Sequence, residues 1–231
     1  MAMGTSEFFS EMALELYDQP STEQTVDLIT KFAQSAIGGS DSGIMLVHAR
    51  QRIETAASTS PRVEESHELQ RTHDEGPCLD ALEGVGSYLS NDVARDERWP
   101  TWGRAVEKLG IRSAISVRLE TRQRRYGSLN IYADDPDAFT PEDLAVAEIL
   151  GRHASVALAA SHSEDGLMSA IDARKLIGQA QGILMERFDL DSDRAFDVLR
   201  RYSQDGNRKL RDVAEAIVRH RGSSVGGAPT A

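Results

Sequence analysis

Apolar positions along this chain change their period twice. In the first forty residues they recur at helical spacing. Phe8, Phe9, Met12 and Leu16 predict one helix, Gln19-Pro20 interrupts it, and Val26, Leu28, Ile29, Phe32, Ala33 and Ile37 predict a second. Ser21 with Gln24 three residues on makes a capping-box pattern at its start, and Gly38-Gly39 ends it. Residues 43–48 (GIMLVH) then read as a short strand, with 52–58 (RIETAAS) as a hairpin partner and Ser87–Ser90 as a further strand. From Arg112 to Glu120 the pattern alternates. Ser113, Ile115, Val117 and Leu119 take one face, and Ala114, Ser116, Arg118 and Glu120 the other. Gly127 to Ala133 repeats the habit with Leu129, Ile131 and Ala133, and the intervening TRQRR (121–125) reads as an exposed hairpin tip. Trp99-Pro100-Thr101-Trp102 opens a short helix that ends near Gly110. Strands mixed with helices, with the late strands in a hairpin, predict an α+β domain whose antiparallel sheet is flanked by helices.

From Thr140 the pattern is helical to the end. Thr140 suits a cap, Pro141 the first helical position, and Asp143 lies three residues beyond the cap. Leu144, Ala147, Leu150, Ala154 and Ala157 follow, and after Ser161 and Glu164 come Met168 and Ile171. These spacings alternate three and four, a heptad stripe with a weak middle. Two readings stay open. One is a continuous coiled-coil helix crossing a domain junction as a dimer seam; the other is an amphipathic helix on its own sheet, broken at Gly166. An all-α segment of three helices follows. Its first helix ends near Phe188. Asp191 or Ser192 caps the second, which carries Ala195, Phe196, Val198 and Leu199. Gly206-Asn207 breaks it, and Leu210, Val213, Ala214, Ile217 and Val218 form the apolar face of the third. The expected division is an N-terminal helix (1–20), an α+β domain (21–162), a three-helix domain (163–221) and a disordered small-residue tail, GSSVGGAPTA (222–231).

Composition narrows the class. At 231 residues, 40% hydrophobic, the chain can bury a core. Its single cysteine excludes an intramolecular disulfide and a cysteine-based zinc site. No apolar run approaches the ~18 residues of a membrane span, and the start, MAMGTSEFFSEM, has no basic region followed by an apolar one, so neither a membrane role nor a signal peptide is expected. The expectation is a soluble, cytoplasmic protein. Net charge is −11, but residues 166–231 hold 11 Lys and Arg against 9 Asp and Glu, which leaves +2 there and −13 in residues 1–165. Such asymmetry hints at different partners for the two parts.

Residues 174–218, RKLIGQAQGILMERFDLDSDRAFDVLRRYSQDGNRKLRDVAEAIV, resemble the ANTAR domain, an RNA-binding three-helix output module of bacterial antitermination regulators. The resemblance rests on Arg174 and Ile177, on Ala180, Gly182, Leu184 and Met185, and on Ala195-Phe196, Leu199-Arg200, Ser203, Asn207, Lys209-Leu210 and Val213-Ala214. Gln181 departs from the pattern, since many family members carry Lys there. Residues of about 21–160 are similar to a GAF domain, of the kind fused to ANTAR modules in actinobacteria. The carrying stretches are GPCLDAL (76–82), NDVARDERWP (91–100), LGIRSAISVRL (109–119) and GSLNIYADDPDAFTPED (127–143). The resemblance implies a regulator of transcription antitermination. Its partners would be stem-loop leader RNA, a second copy of the chain, and an unidentified small molecule at the GAF domain.

The cations that could serve RNA are Arg174, Lys175, Arg187, Arg200, Arg201, Arg208, Lys209 and Arg211. Lys and Arg neutralise phosphates, and Arg also stacks on bases or forks onto their edges. The turn through Gly206-Asn207 is expected to gather five of them, with Ser203 and Asn207 adding short polar groups for an unstacked loop base. Tyr202 has the spacing of a core residue and the ring of a stacking one. The competing reading is a solvated face, because acids share the segment and Arg194 can pair with Asp191 or Asp197.

The remaining chemistry is thin. The cyclic-nucleotide-binding type of GAF domain carries Asn-Lys and Phe-x-x-x-Asp-Glu. Here Ile131 follows Asn130 and Leu144 follows Asp143, which argues against that ligand despite Phe139. Cys78, between Pro77 and Leu79, reads as a small core residue rather than a redox or bilin-linked thiol. His67 and His73 lack a third metal ligand, and His153 on an apolar helix reads as packing. No phosphate loop, dinucleotide fingerprint or nucleophile elbow is present, so neither an enzyme nor a bound cofactor is expected.

Overall fold

Two units make up the computed structural model, which describes residues 5–84 and 86–221. The first ends at Ser163 and the second begins at Glu164. The expected tail, 222–231, lies outside the described residues.

The first unit opens with α1 (Thr5–Tyr17) and α2 (Thr22–Ile37). Ser21 caps α2, one half of the capping box expected there. The Gln24 N–H donates to Ser21 Oγ at 3.3 Å, and Gly38 closes the helix at φ +78° with its N–H on the Gln34 carbonyl. Strands β1 (Asp41–Val47) and β2 (Ile53–Ser58) form the first hairpin. After α3 (Pro61–His73) and α4 (Pro77–Glu83) come β3 (Ser87–Ser90), α5 (Pro100–Glu107) and the hairpin of β4 (Ser113–Glu120) with β5 (Arg125–Ala133). Neighbouring strands run antiparallel in the order β2-β1-β5-β4-β3. Arg122, Gln123 and Arg124 are exposed at the β4–β5 turn, as their polarity predicts.

Both faces of the sheet are covered, and they are covered differently. One face buries Ile44, Ile115, Val117, Leu119, Leu129 and Ile131 against Met12, Val26, Ile29 and Ala33 of α1 and α2 and against Leu150 and Leu158 of the last helix. The other carries Ala114, Ser116, Asn130 and Tyr132 beneath α3, α4 and α5, with Val63, Trp99, Trp102 and Val106 packed nearby.

The last helix of this unit, α6, runs without interruption from Pro141 to Phe188 and so passes Gly166 as helix. A reciprocal box starts it. The Thr140 N–H donates to Asp143 Oδ2 at 2.8 Å and the Asp143 N–H to Thr140 Oγ1 at 3.2 Å. The two readings of its heptad stripe divide. The helix is continuous, but Ala147, Leu150 and Ala154 are buried on their own sheet, and Ser161 is buried with its hydroxyl 2.9 Å from that of Thr22. One stretch of α6 is long and apolar enough to cross a membrane by length and composition; its Ala147, Leu150, Ala154 and Leu158 lie in the protein core.

In the second unit the remainder of α6 packs with α7 (Ser192–Asp205) and α8 (Leu210–Arg221). Ala180, Leu184, Ala195, Leu199, Val213 and Ala214 are its buried centre. Asp191 is the cap of α7, its carboxylate accepting from the Arg194 N–H at 2.8 Å.

Candidate nucleic-acid interface

The turn between α7 and α8 is built by the short polar residues expected to read RNA. Ser203 Oγ donates to the Arg208 carbonyl at 2.6 Å, and the Arg208 N–H returns to the Ser203 carbonyl at 3.0 Å. Asn207 sits at φ +46°, a left-handed conformation that asparagine tolerates. Both residues therefore hold the turn that presents Arg208. The Arg208 guanidinium reaches back to the Asp212 carbonyl at 3.4 Å.

The expected cations fall into four groups. Arg187, in the last turn of α6, and Arg208 line one groove of about 730 Å³ together with Phe188, Tyr202 and His220. Arg200 and Arg201 lie on α7 outside that groove. Arg200 pairs with Asp197 at 2.7 Å and Arg201 with Asp205 at 3.6 Å, all four side chains being well exposed. Arg174 and Lys175, also exposed, stand on α6 about 20 Å along the helix axis from Arg187, at 1.5 Å per residue. Lys209 and Arg211 are exposed at the start of α8. Exposed ion pairs at helical spacing are worth little, about 0.3–0.5 kcal/mol. A phosphate can displace Asp197 or Asp205 at small cost.

Two residues read differently in three dimensions. Tyr202 is 67% exposed, which removes it from the core and leaves its ring on the groove. Gln181, where the ANTAR pattern favours Lys, donates from Nε2 to the carbonyl and hydroxyl oxygens of Ser192, at 2.7 and 2.8 Å. It ties α6 to the start of α7. Phe188, 61% exposed, joins Tyr202 on the groove; in the sequence its one functional signal is its place at a helix end beside Arg187.

The first unit offers a different chemistry on the α3–α4 side of its sheet. His67 is buried between Thr55 and Asn130. Asn130 Nδ2 donates to Nε2 at 3.3 Å, so Nδ1 carries the proton toward Thr55 Oγ1 at 3.1 Å. Burial, helped by the charge of Arg71, lowers the imidazole pKa to about 3 and keeps the ring neutral. Asn130 Oδ1 accepts from Ser116 Oγ at 2.6 Å. Beside this chain Gln70 grips Cys78 twice. Its amide donates to Sγ, and its Oε1 accepts the Cys78 N–H at 2.8 Å. Burial pushes the thiol up to about 12, which suits the small core residue expected. His73 is exposed at the end of α3 while His67 is buried, and no group of three metal-binding side chains occurs among the described residues. His153 stacks on Phe9 at 5.6 Å between ring centres.

Comparison with known proteins agrees with this division. The GAF domain family matches residues 19–159, and the ANTAR domain matches residues 165–218. No curated protein gives a significant match. Among solved structures, the chain is similar to free methionine-R-sulfoxide reductase from Neisseria meningitidis in complex with its substrate. They share 17% identity, with 71% of this chain and 96% of that one covered and a TM-score of 0.56. The GAF domain of a phosphoenolpyruvate-protein phosphotransferase from Acinetobacter gives 16% identity, 72% and 99% coverage and a TM-score of 0.56. Its counterpart from Coxiella burnetii gives 12%, 70% and 96%, and 0.57. At these identities the likeness concerns the fold of the first unit alone.

Proposed function

We propose, for a chain that belongs to the GAF domain family and carries an ANTAR domain behind it, a cytoplasmic regulator that binds hairpin loops in leader RNA and favours an antiterminator over a terminator. An ANTAR domain is an RNA-binding antitermination domain, and a GAF domain is a sensor domain. The observation that carries the reading is the match over residues 165–218 to a segment whose cations, Arg174, Lys175, Arg187, Arg200, Arg201, Arg208, Lys209 and Arg211, are all exposed. They lie in the part of the chain with net charge +2, against −13 before it. Duplex-capable phosphates bind such cations without sequence preference, while loop bases supply the recognition.

The reading includes a homodimer. Ala147, Leu150 and Ala154 of the heptad stripe are used inside the GAF domain, whereas Met168 and Ile171 are exposed. Tyr17 of α1 and Ile149 and Val156 of α6 are exposed apolar residues, and Tyr17 and Val156 border a shallow cleft of about 260 Å³ that a second copy could cover. Two RNA-binding domains held together raise each other's effective concentration on paired loops. A second reading, a ligand-sensing or protein-interaction module without RNA binding, draws on the Arg200–Asp197 and Arg201–Asp205 pairs.

A mobility-shift titration with paired stem-loop RNA separates them. The first reading expects a shift that Arg200→Ala with Arg201→Ala weakens about tenfold or more, at ~1–2 kcal/mol for charge-assisted contacts. Absence of any shift, together with capture of protein partners by the same chain, would favour the second.

A further inference from the structure

The groove between the three helices of the ANTAR domain brings two aromatic rings and two guanidinium groups together. Its walls are apolar, its rim carries Arg187, Arg208 and the imidazole of His220, and no carboxylate lines it. Asp193, Asp197 and Asp205 of α7 all lie outside its lining. Two aromatic rings border it, Phe188 from the end of α6 and Tyr202 from α7, and both are mostly exposed. Neither makes a ring contact among the described residues. An apolar core residue gains nothing from such a position, since exposed ring surface costs free energy in water.

We infer that this groove takes an unstacked nucleobase, with Tyr202 and Phe188 as the stacking surfaces and Arg187 and Arg208 meeting the phosphates on either side of it. The inference rests on the RNA-binding reading and deepens it by naming the part of the RNA that enters. A base presents two apolar faces and a polar edge and is tethered to anions, so it needs a ring to stack on and cations at the rim. A helix-bound aliphatic partner would match the walls but would leave two guanidinium groups without anions. The groove's volume of about 730 Å³ is ample for a purine and its sugar. Its position also accounts for the turn. Ser203 and Asn207 shape the turn that holds Arg208 at the groove, which Tyr202 lines from the last turn of α7. A continuous duplex keeps its bases stacked and cannot fill the groove. The site therefore selects looped or bulged RNA over paired RNA.

The test uses the full chain and stem-loop RNAs recovered by selection from a pool with randomised loops. Affinity is measured across a salt series for wild type, Tyr202→Ala, Tyr202→Phe and Phe188→Ala, with circular dichroism as the check on folding. Tyr202→Ala and Phe188→Ala should each weaken binding about tenfold or more. The salt slope should stay unchanged, because no phosphate contact is lost. Tyr202→Phe, which keeps the ring, should bind as wild type does. Loop RNAs with single abasic positions supply a variant on the other partner. One such position should weaken wild type but add nothing to the loss in Tyr202→Ala. Wild-type affinity in both alanine variants, with the salt-dependent binding intact, overturns the nucleobase site and leaves RNA binding standing. The same result with a changed oligomeric mass identifies the groove as a contact between protein copies, which also overturns it. Failure of selection to recover any RNA removes both readings.

Discussion

Two grooves of similar size face opposite chemistry in this molecule. The one in the GAF domain, about 830 Å³, runs beside the edge strand β2 and is lined by Asp27, Glu64, Glu65 and Glu68, with Arg71 paired to Glu68. The one in the ANTAR domain, about 730 Å³, has Arg187, Arg208, Phe188 and Tyr202 and no acid. Size does not distinguish them; charge and ring chemistry do. A polyanion is repelled by the first and attracted by the second. The contrast extends to the interior. The GAF domain keeps polar groups such as His67, Gln70 and Asn130 dry and matched to one another, whereas the polar groups of the ANTAR domain stand in water.

The comparison can be broken from either side. The largest effect is expected at Gly127 in β5. A Cβ there would lie 1.9 Å from the Met45 carbonyl oxygen, an atom fixed in the paired strand β1. Gly127→Ala should destabilise the GAF domain by about 3 kcal/mol or more. Urea denaturation read from Trp99 and Trp102 reports this, because both tryptophans lie in that domain. Next, Arg187→Ala with Arg208→Ala should lower RNA affinity about a hundredfold, at ~1.5 kcal/mol for each charge-assisted contact. The urea transition seen by the tryptophans should not move.

The third effect depends on pH. The folded His67 has its pKa lowered to about 3 from an ordinary 6.5. Below pH 6.5 the unfolded chain takes up a proton that the folded one refuses. The stability that neutral His67 provides is complete above pH 6.5 and is lost toward pH 3, by about 1.4 kcal/mol per pH unit. His67→Gln should flatten that slope in the same denaturation experiment. The smallest effect is expected from Glu64→Gln with Glu65→Gln and Glu68→Gln, which should change RNA affinity less than twofold, since the acidic groove belongs to the other domain.

What the sequence reveals follows from where apolar residues concentrate. The strands from Ser113 to Ala133, the caps at Ser21, Thr140 and Asp191, and the break at Gly206 were readable because each leaves a local mark. Helix α3 left none. Its buried face is Ser66, His67 and Gln70 beside Val63, so hydrophobic periodicity passes over a helix whose inward side is largely polar. Heptad spacing marked the inner face of α6 from Leu144 to Ala157 but could not say whether a sheet or a second copy covers it, and its continuation at Met168 and Ile171 is exposed. In the ANTAR domain the cations were legible one by one. Their grouping was not, because Arg187 and Arg208 line one groove from distant points of the sequence while Arg200 and Arg201 are turned to carboxylates on their own helix. The ring of Tyr202 has core spacing, and only burial in three dimensions separates a core ring from a stacking one.

The account stands on cations of the ANTAR domain neutralising RNA phosphates. The direct measurement is the association constant of the full chain with selected stem-loop RNA from about 50 to 200 mM salt. A plot of log K against log salt should fall linearly, by ~0.7–0.9 for each phosphate neutralised. The slope should be shallower by about one in each variant that loses a phosphate-contacting Arg. A flat plot, or a slope the same in wild type and in the Arg187→Ala, Arg208→Ala double variant, would contradict it.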